Sequence, residues 1–271
     1  MWKLLKSGLM NAWNQPFAVC ALFTYNLLWG LILYTAVRSI VVPLLHRYPS
    51  PELSREAVQL FWLEGQFQIT KTDLIVPYLW WALALLLIRM VLSPLLSAGI
   101  YYSLEHTELN AGYRFVRGIR KLGLPFLGLY LLQIVLTVAP LYLLGTKVIE
   151  GYHSHASLTA IGWHLLPWLG IYVAYLILIQ TLFMYMQFGL ASGKSVLISC
   201  RLLVRNVLTI LLLAIVTMSI TFTLSALVIT SALVWAGFAA LVLVQAYRLL
   251  HMFCKMWTIT SQHALWNANH E

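Results

Sequence analysis

Apolar runs of membrane-spanning length alternate with short polar segments along the chain. The alternation predicts six helical spans, at about 17–40, 74–96, 124–146, 161–187, 207–226 and 230–253. Each meets the need for about 20 apolar residues per crossing. The last two are read from one run without a charge, Val207 to Tyr247, with a tight turn near Thr223–Ser231. The second continues past Pro94 as a bent segment, SPLLSAGIYYSL.

Three of the junctions share a plan: KLLKSGLMNAWNQPFAVCALF (3–23), GYRFVRGIRKLGLPFLGLYLL (112–132) and SVLISCRLLVRNVLTILLLAI (195–215). Each reads as a short basic amphipathic helix leading into a span. In the second, Arg114, Arg117 and Lys121 fall on one helical face and Phe115, Ile119 and Leu122 on the other. Pro16-Phe17 aligns with Pro125-Phe126, and proline suits a helix's first turn. The expected unit is therefore surface helix, span, outer turn, span, repeated three times, as internal repeats are in many transport folds. Lys3, Lys6, Arg114, Arg117, Lys121, Lys194, Arg201 and Arg205 are its candidate contacts with anionic lipid headgroups. Between spans 1 and 2, SPELSREAVQLFWLEGQ predicts a helix capped by Ser50, begun by Pro51 and ended by Gly65. It lies either on the outer membrane surface or across the tops of the spans.

Composition agrees with the pattern. The 271 residues are 61% hydrophobic and only 9% charged, where soluble domains carry about 25% charged and 45–50% apolar residues. The expected fold is an all-α polytopic transmembrane bundle, one integral membrane domain over residues 1–271 with no soluble domain. Eleven Lys and Arg fall in one set of loops and five in the other, while the acids split three against five. By the positive-inside rule both termini are cytoplasmic, in a multi-pass protein of the cell (inner or plasma) membrane. Spread over separate loops, these cations do not form a nucleic-acid surface. Cys20, Cys200 and Cys254 all fall outside the exterior loops, so no disulfide is expected. The run Pro16–Leu45 is too long for a signal peptide and lacks a small-x-small cleavage site, and Val19 spoils FAVC as a lipoprotein box. Residue 1 is expected to stay attached, with the first span as an anchor.

Candidate chemistry is sparse. GLASGKSVLI (189–198) ends like a phosphate-binding loop, but Gly189 and Gly193 enclose three residues where four are needed, and Phe188 stands in the glycine position. It also ends a span instead of following a strand, and the only aspartate, Asp73, lies on the outer side. No nucleotide is expected. Arg89, in LALLLIRMVL, sits near the middle of span 2, where an arginine costs about 2.5–3.5 kcal/mol to insert. It either marks a ligand site or snorkels to an interface. Asn26, Gln133, Gln180 and Gln245 are the polar groups within other spans, and the ligand-binding set is taken as Arg89, Asn26, Gln133 and Gln180. His153 and His155, near Glu150 and His164, have the residue types of a metal site, but a solvated loop explains them better, and no metal or cofactor is expected. Glu105, His106 and Glu108 read as boundary polar residues, because neighbours on a helix point apart. Trp13, Trp80, Trp81, Trp163, Trp168 and Trp257 near span ends read as an interfacial belt.

At LLSPLLSAGIYYSLEHTELNAGYRFVRGIRKLGLPFLGLYLL, with its Pro94, Ala98 and Gly99 followed by a basic helix and a span, the chain resembles a bacterial group. These are the six-span membrane domains of glycerophosphodiester phosphodiesterases and their stand-alone integral membrane relatives. The resemblance implies a bacterial inner-membrane bundle and carries over no catalytic residue, since that family's phosphodiesterase chemistry resides in a separate soluble domain. The expected function is non-enzymatic: a transport component or a membrane-embedded partner of another complex, its partners being the anionic bilayer and another membrane protein. The alternatives are a membrane enzyme acting on lipid or isoprenoid substrates, which lacks the clustered carboxylates such chemistry uses, and a lipid-sensing structural bundle.

Overall fold

The computed structural model describes residues 1–47, 59–60, 63, 65–67, 76–154, 158–234 and 238–269. In chain order the helices are α1 (Trp2–Trp13), α2 (Pro16–Arg47), α3 (Val76–Glu105), α4 (Ala111–Ser154), α5 (Leu158–Ala191), α6 (Val196–Arg205), α7 (Val207–Val234) and α8 (Phe238–Ala268). There is no strand among the described residues. Five stretches are long and apolar enough to cross a membrane: Pro16–Ser39, Val76–Glu105, Ala111–Tyr152, Thr159–Ala191 and Val207–Ser231. The protein is an all-α, multi-pass membrane protein by these criteria. The sixth expected span, 230–253, runs across 235–237, which lie outside the described residues. So do most of the residues of the helix expected after Ser50.

The turn expected near Thr223–Ser231 is not there. Helix α7 continues through it to Val234. Its hydroxyls bond back to the preceding turn, Thr221 to Thr217 O, Thr223 to Ser219 O, Ser225 to Thr221 O and Thr230 to Ala226 O, at 2.8–2.9 Å. Ser and Thr therefore end nothing here, because the helix itself satisfies them. Pro94 likewise lies inside α3, which runs on to Glu105 before a turn at 106–110.

The basic segments differ in form. The first and third are separate short helices, α1 and α6, set off from α2 and α7 by breaks at Asn14–Gln15 and Asn206. The second is the start of α4 and continuous with its span. Pro16 opens α2 as the pattern predicts, but Pro125 is interior to α4. Phe126 beside it is fully buried, its ring 5.6 Å from Tyr101, and the helix runs on past the proline to Ser154.

Two compact units are distinguished, residues 24–93 and residues 1–23 with 94–271. In the larger, α1 lies along α8, α4 pairs with α5 and α7 with α8. Tyr175 Oη donates to Leu136 O at 2.8 Å between α5 and α4, and Gln262 Nε2 to Ile210 O at 3.0 Å between α8 and α7. The core gathers Tyr101, Phe126, Tyr185, Phe188 and Trp266, all at most 5% exposed. Glycines make the close crossings. A Cβ on Gly118 of α4 would lie 2.5 Å from Tyr102 Cβ of α3, so only glycine lets these helices approach. Outside this core, α4, α5 and α7 expose apolar side chains such as Val135, Tyr142, Ile171, Phe222 and Leu227. Large apolar side chains left exposed along helices of spanning length are what a bilayer covers.

Candidate functional site

In the 24–93 unit, α2 and α3 run antiparallel, with Tyr25 Oη 3.2 Å from Ser93 Oγ and the Arg89 guanidinium 5.8 Å from the centre of the Trp29 ring. Residue numbers thus rise on one helix as they fall on the other, which sets Ala36 level with Ala82. Two alanines at one level leave space between the helices. A groove of 630 Å³ opens there, within the range of sites that take small ligands.

Its walls are apolar. The polar groups are Thr35, Ser39, Tyr78 and Arg89, and both hydroxyls on α2 already donate within their own helix, Thr35 to Ile32 O at 2.8 Å and Ser39 to Ala36 O at 2.7 Å. Arg89 is the groove's one cation and is exposed, whereas Trp29 beneath it is 7% exposed. The contact is at cation–π distance. A contact of this kind is not a hydrogen bond to an oxygen acceptor, so the guanidinium N–H groups can still meet one. No carboxylate among the described residues pairs with Arg89.

Of the four residues expected to form a ligand site, Arg89 and Asn26 belong to this unit. Gln133 on α4, half-buried, and Gln180 on α5, exposed, belong to the other. Trp29 is the partner that sequence reading missed. Its 60-residue separation from Arg89 carries no signal until the helices are paired.

The basic residues divide. Lys3, Lys6, Arg117, Lys121, Lys194, Arg201 and Arg205 are exposed, free to meet a charged surface. Arg114 is not. It is 6% exposed, donates from Nη2 to Gln15 Oε1 at 2.9 Å and from Nη1 to Thr107 O at 3.2 Å, and is an internal brace instead of a headgroup contact. Gln15 in turn donates to Ser103 O and accepts from Ser103 Oγ, each at 3.1 Å. The cluster ties the α1–α2 junction to the end of α3, the following turn and α4. Helical spacing put Arg114 with Arg117, but position 114 also borders buried Phe115 and Gly118, and Gln15 offers it an acceptor inside.

Glu105 does not act with His106. It meets His263 of α8, Nε2 to Oε1 at 3.0 Å, while His106 stacks on Tyr102 at 3.9 Å. Glu150 pairs with Lys147 at 2.6 Å. His155 and the side chain of His153 lie outside the described residues, and among the described residues no group of three or more His, Cys, Asp or Glu could hold a metal ion.

The phosphate-loop-like stretch is a helix cap. Gly193 has φ +70°, its N–H donates to Leu190 O at 3.3 Å, and Lys194 N–H donates to Gly189 O at 2.8 Å. These two bonds make a Schellman motif ending α5. Gly189 is itself a crossing point, since a Cβ there would lie 1.9 Å from Ser199 Oγ of α6.

Comparison with known proteins finds no matching family model, no matching curated protein and no matching solved structure.

Proposed function

We propose that this chain is a non-enzymatic multi-pass protein of the cell membrane, a transport component or the membrane-embedded partner of another complex, with an anionic ligand held at Arg89. The observation that carries this reading is the position of Arg89, the one charged group on the wall of a mostly apolar groove, against Trp29. A guanidinium keeps its charge at any accessible pH. Within an apolar span that charge is costly unless water, polar groups or an anion meets it. The exposed basic residues at the helix junctions support a second contact, with anionic headgroups at the cytoplasmic surface. The likeness to the membrane domains of bacterial glycerophosphodiester phosphodiesterases supports the same non-catalytic reading.

The enzymatic alternative, action on a lipid or isoprenoid, draws on Glu105 and His263. Against it, this pair is closed on itself at 3.0 Å, and no second carboxylate joins it among the described residues.

Melting temperatures of wild type, Arg89→Lys and Arg89→Leu in anionic and neutral lipid test the proposal. Anionic lipid should stabilise wild type most, Arg89→Lys less and Arg89→Leu least, the remaining response coming from the exposed basic residues at the helix junctions. An equal lipid response in wild type and Arg89→Leu would end the functional reading of this arginine.

A further inference from the structure

We infer that the ligand of the Arg89 groove is an anionic phospholipid, its phosphate on the guanidinium and one acyl chain along the groove towards Tyr78. The inference rests on the anion reading above and adds the chain. Its basis is the groove's shape and the placement of its polar groups. From Trp29 to Ser39 along α2 is ten positions and from Tyr78 to Arg89 along α3 eleven, so the groove is about 15–17 Å long on both helices. That is half of a hydrocarbon core about 30 Å thick, so a groove that begins at an interface with Tyr78 ends at Arg89 near mid-membrane.

The two ends differ. Arg89 and Trp29 form one, Ser39 and Tyr78 the other, and between them the small side chains of Ala36 and Ala82 open a trough walled by Ile32, Leu85 and Leu86. A free inorganic anion would use the cation and leave the trough empty of partners. A neutral chain would fill the trough and leave the guanidinium without an acceptor. A ligand with one negative head and one long apolar chain satisfies both. Phosphate suits the head because the N–H donors at the guanidinium rim match its oxygens in pairs.

Polarity along the membrane follows from the aromatic residues. Tyr78, Trp80 and Trp81 are exposed near the start of α3, as an interfacial belt is. Arg89 lies about 12 Å beyond Trp81 along the helix. A chain running from Arg89 towards Tyr78 therefore belongs to a lipid whose headgroup enters from the membrane face opposite that belt. Its phosphate is drawn about 15 Å below the headgroup level of that face, to near mid-membrane, which a groove serving lipid transfer or lipid-dependent coupling would require.

Native mass spectrometry of the purified full chain, equilibrated with micelles containing equimolar dioleoylphosphatidic acid and dioleoylphosphatidylcholine, tests this. Wild type should retain phosphatidic acid in preference to phosphatidylcholine. Arg89→Leu should lower that retention about tenfold, the scale of one charge-assisted contact, and Arg89→Lys should lower it less. Ala36→Phe fills the trough without touching the cation and should lower retention comparably; Ala82→Phe does the same from α3, should Ala36→Phe not fold. Inorganic phosphate at millimolar concentration should compete weakly. Full retention in Ala36→Phe and Ala82→Phe, with loss only in Arg89→Leu and ready competition by phosphate, would overturn the acyl-chain inference and leave an anion site at Arg89. Full retention in Arg89→Leu would overturn both.

Discussion

Thr260 Oγ1 of α8 donates a 2.7 Å hydrogen bond to the carbonyl of Gly8 in α1, and both groups are buried. The next residue, Ser261, lies so close that a Cβ on Gly8 would be 2.2 Å from its Oγ and 2.6 Å from its Cα. One helical turn away, Trp257 Nε1 donates to Leu5 O at 3.0 Å, and Leu5, Gly8 and Ala12 make the buried stripe of α1. The first basic helix is thus held by the C-terminal one, while Lys3 and Lys6 remain exposed.

Gly8→Ala should therefore destabilise the folded chain by about 1–3 kcal/mol, the usual cost of overpacking. Ser261→Ala should not rescue it, since the Cα clash remains. Thermal unfolding of the single and double variants checks this, and full rescue by Ser261→Ala would show that the two helices can separate slightly at no cost.

Arg114 and Arg117 should part company on substitution. Arg114→Ala removes two internal hydrogen bonds from a charged donor and strips Gln15 of one partner, a loss of about 2–4 kcal/mol. Arg117→Ala, on an exposed side chain, should stay within about 0.5 kcal/mol yet weaken association with anionic vesicles by about 1 kcal/mol. Unfolding and vesicle binding, measured on both variants, separate brace from headgroup contact. A double-mutant cycle of Arg114→Ala with Gln15→Ala should show strong coupling.

These two arginines also show what the sequence discloses. Hydrophobic runs declare the spans, because a bilayer imposes one length and one polarity on every crossing. Basic amphipathic spacing declares which segments carry exposed cations, such as Lys3, Lys6 and Arg117. Neither declares which member of a basic face turns inward, since that depends on an acceptor, Gln15, 99 positions away. The same holds for Glu105 with His263 and Arg89 with Trp29, pairs made by helix register and not by local pattern. The turn expected at Thr223–Ser231 fails for a different reason: hydroxyls that favour turns in water bond back to their own helix where water is absent.

A reporter active only in the cytoplasm, fused to residue 271, should be active. Five apolar stretches among the described residues would by themselves put the termini on opposite sides, so the expectation requires the first half of α8 to cross as well. The charge bias of the loops supports this arrangement. A silent fusion on a correctly inserted protein would mean that α8 does not cross, leaving its Arg248 and Lys255 on the far side from the N-terminal lysines.

Gly193 and Lys194 distinguish a helix cap from a phosphate site. With φ at +70°, Gly193 occupies a backbone conformation that costs an L residue about 1–2 kcal/mol, and nothing lies within 4 Å of where its Cβ would be. Gly193→Ala should therefore lower stability by about that amount through backbone strain alone. Lys194 contributes to the cap only its N–H, which any residue but proline supplies, and its side chain is exposed. Lys194→Ala should leave stability unchanged. A phosphate-binding loop would reverse this order, because its lysine meets the phosphates directly. The purified chain should show no nucleoside triphosphate binding and no turnover, measured with a fluorescent ATP analogue and by phosphate release. ATP hydrolysis that disappears in Lys194→Ala would overturn the cap reading and restore the nucleotide.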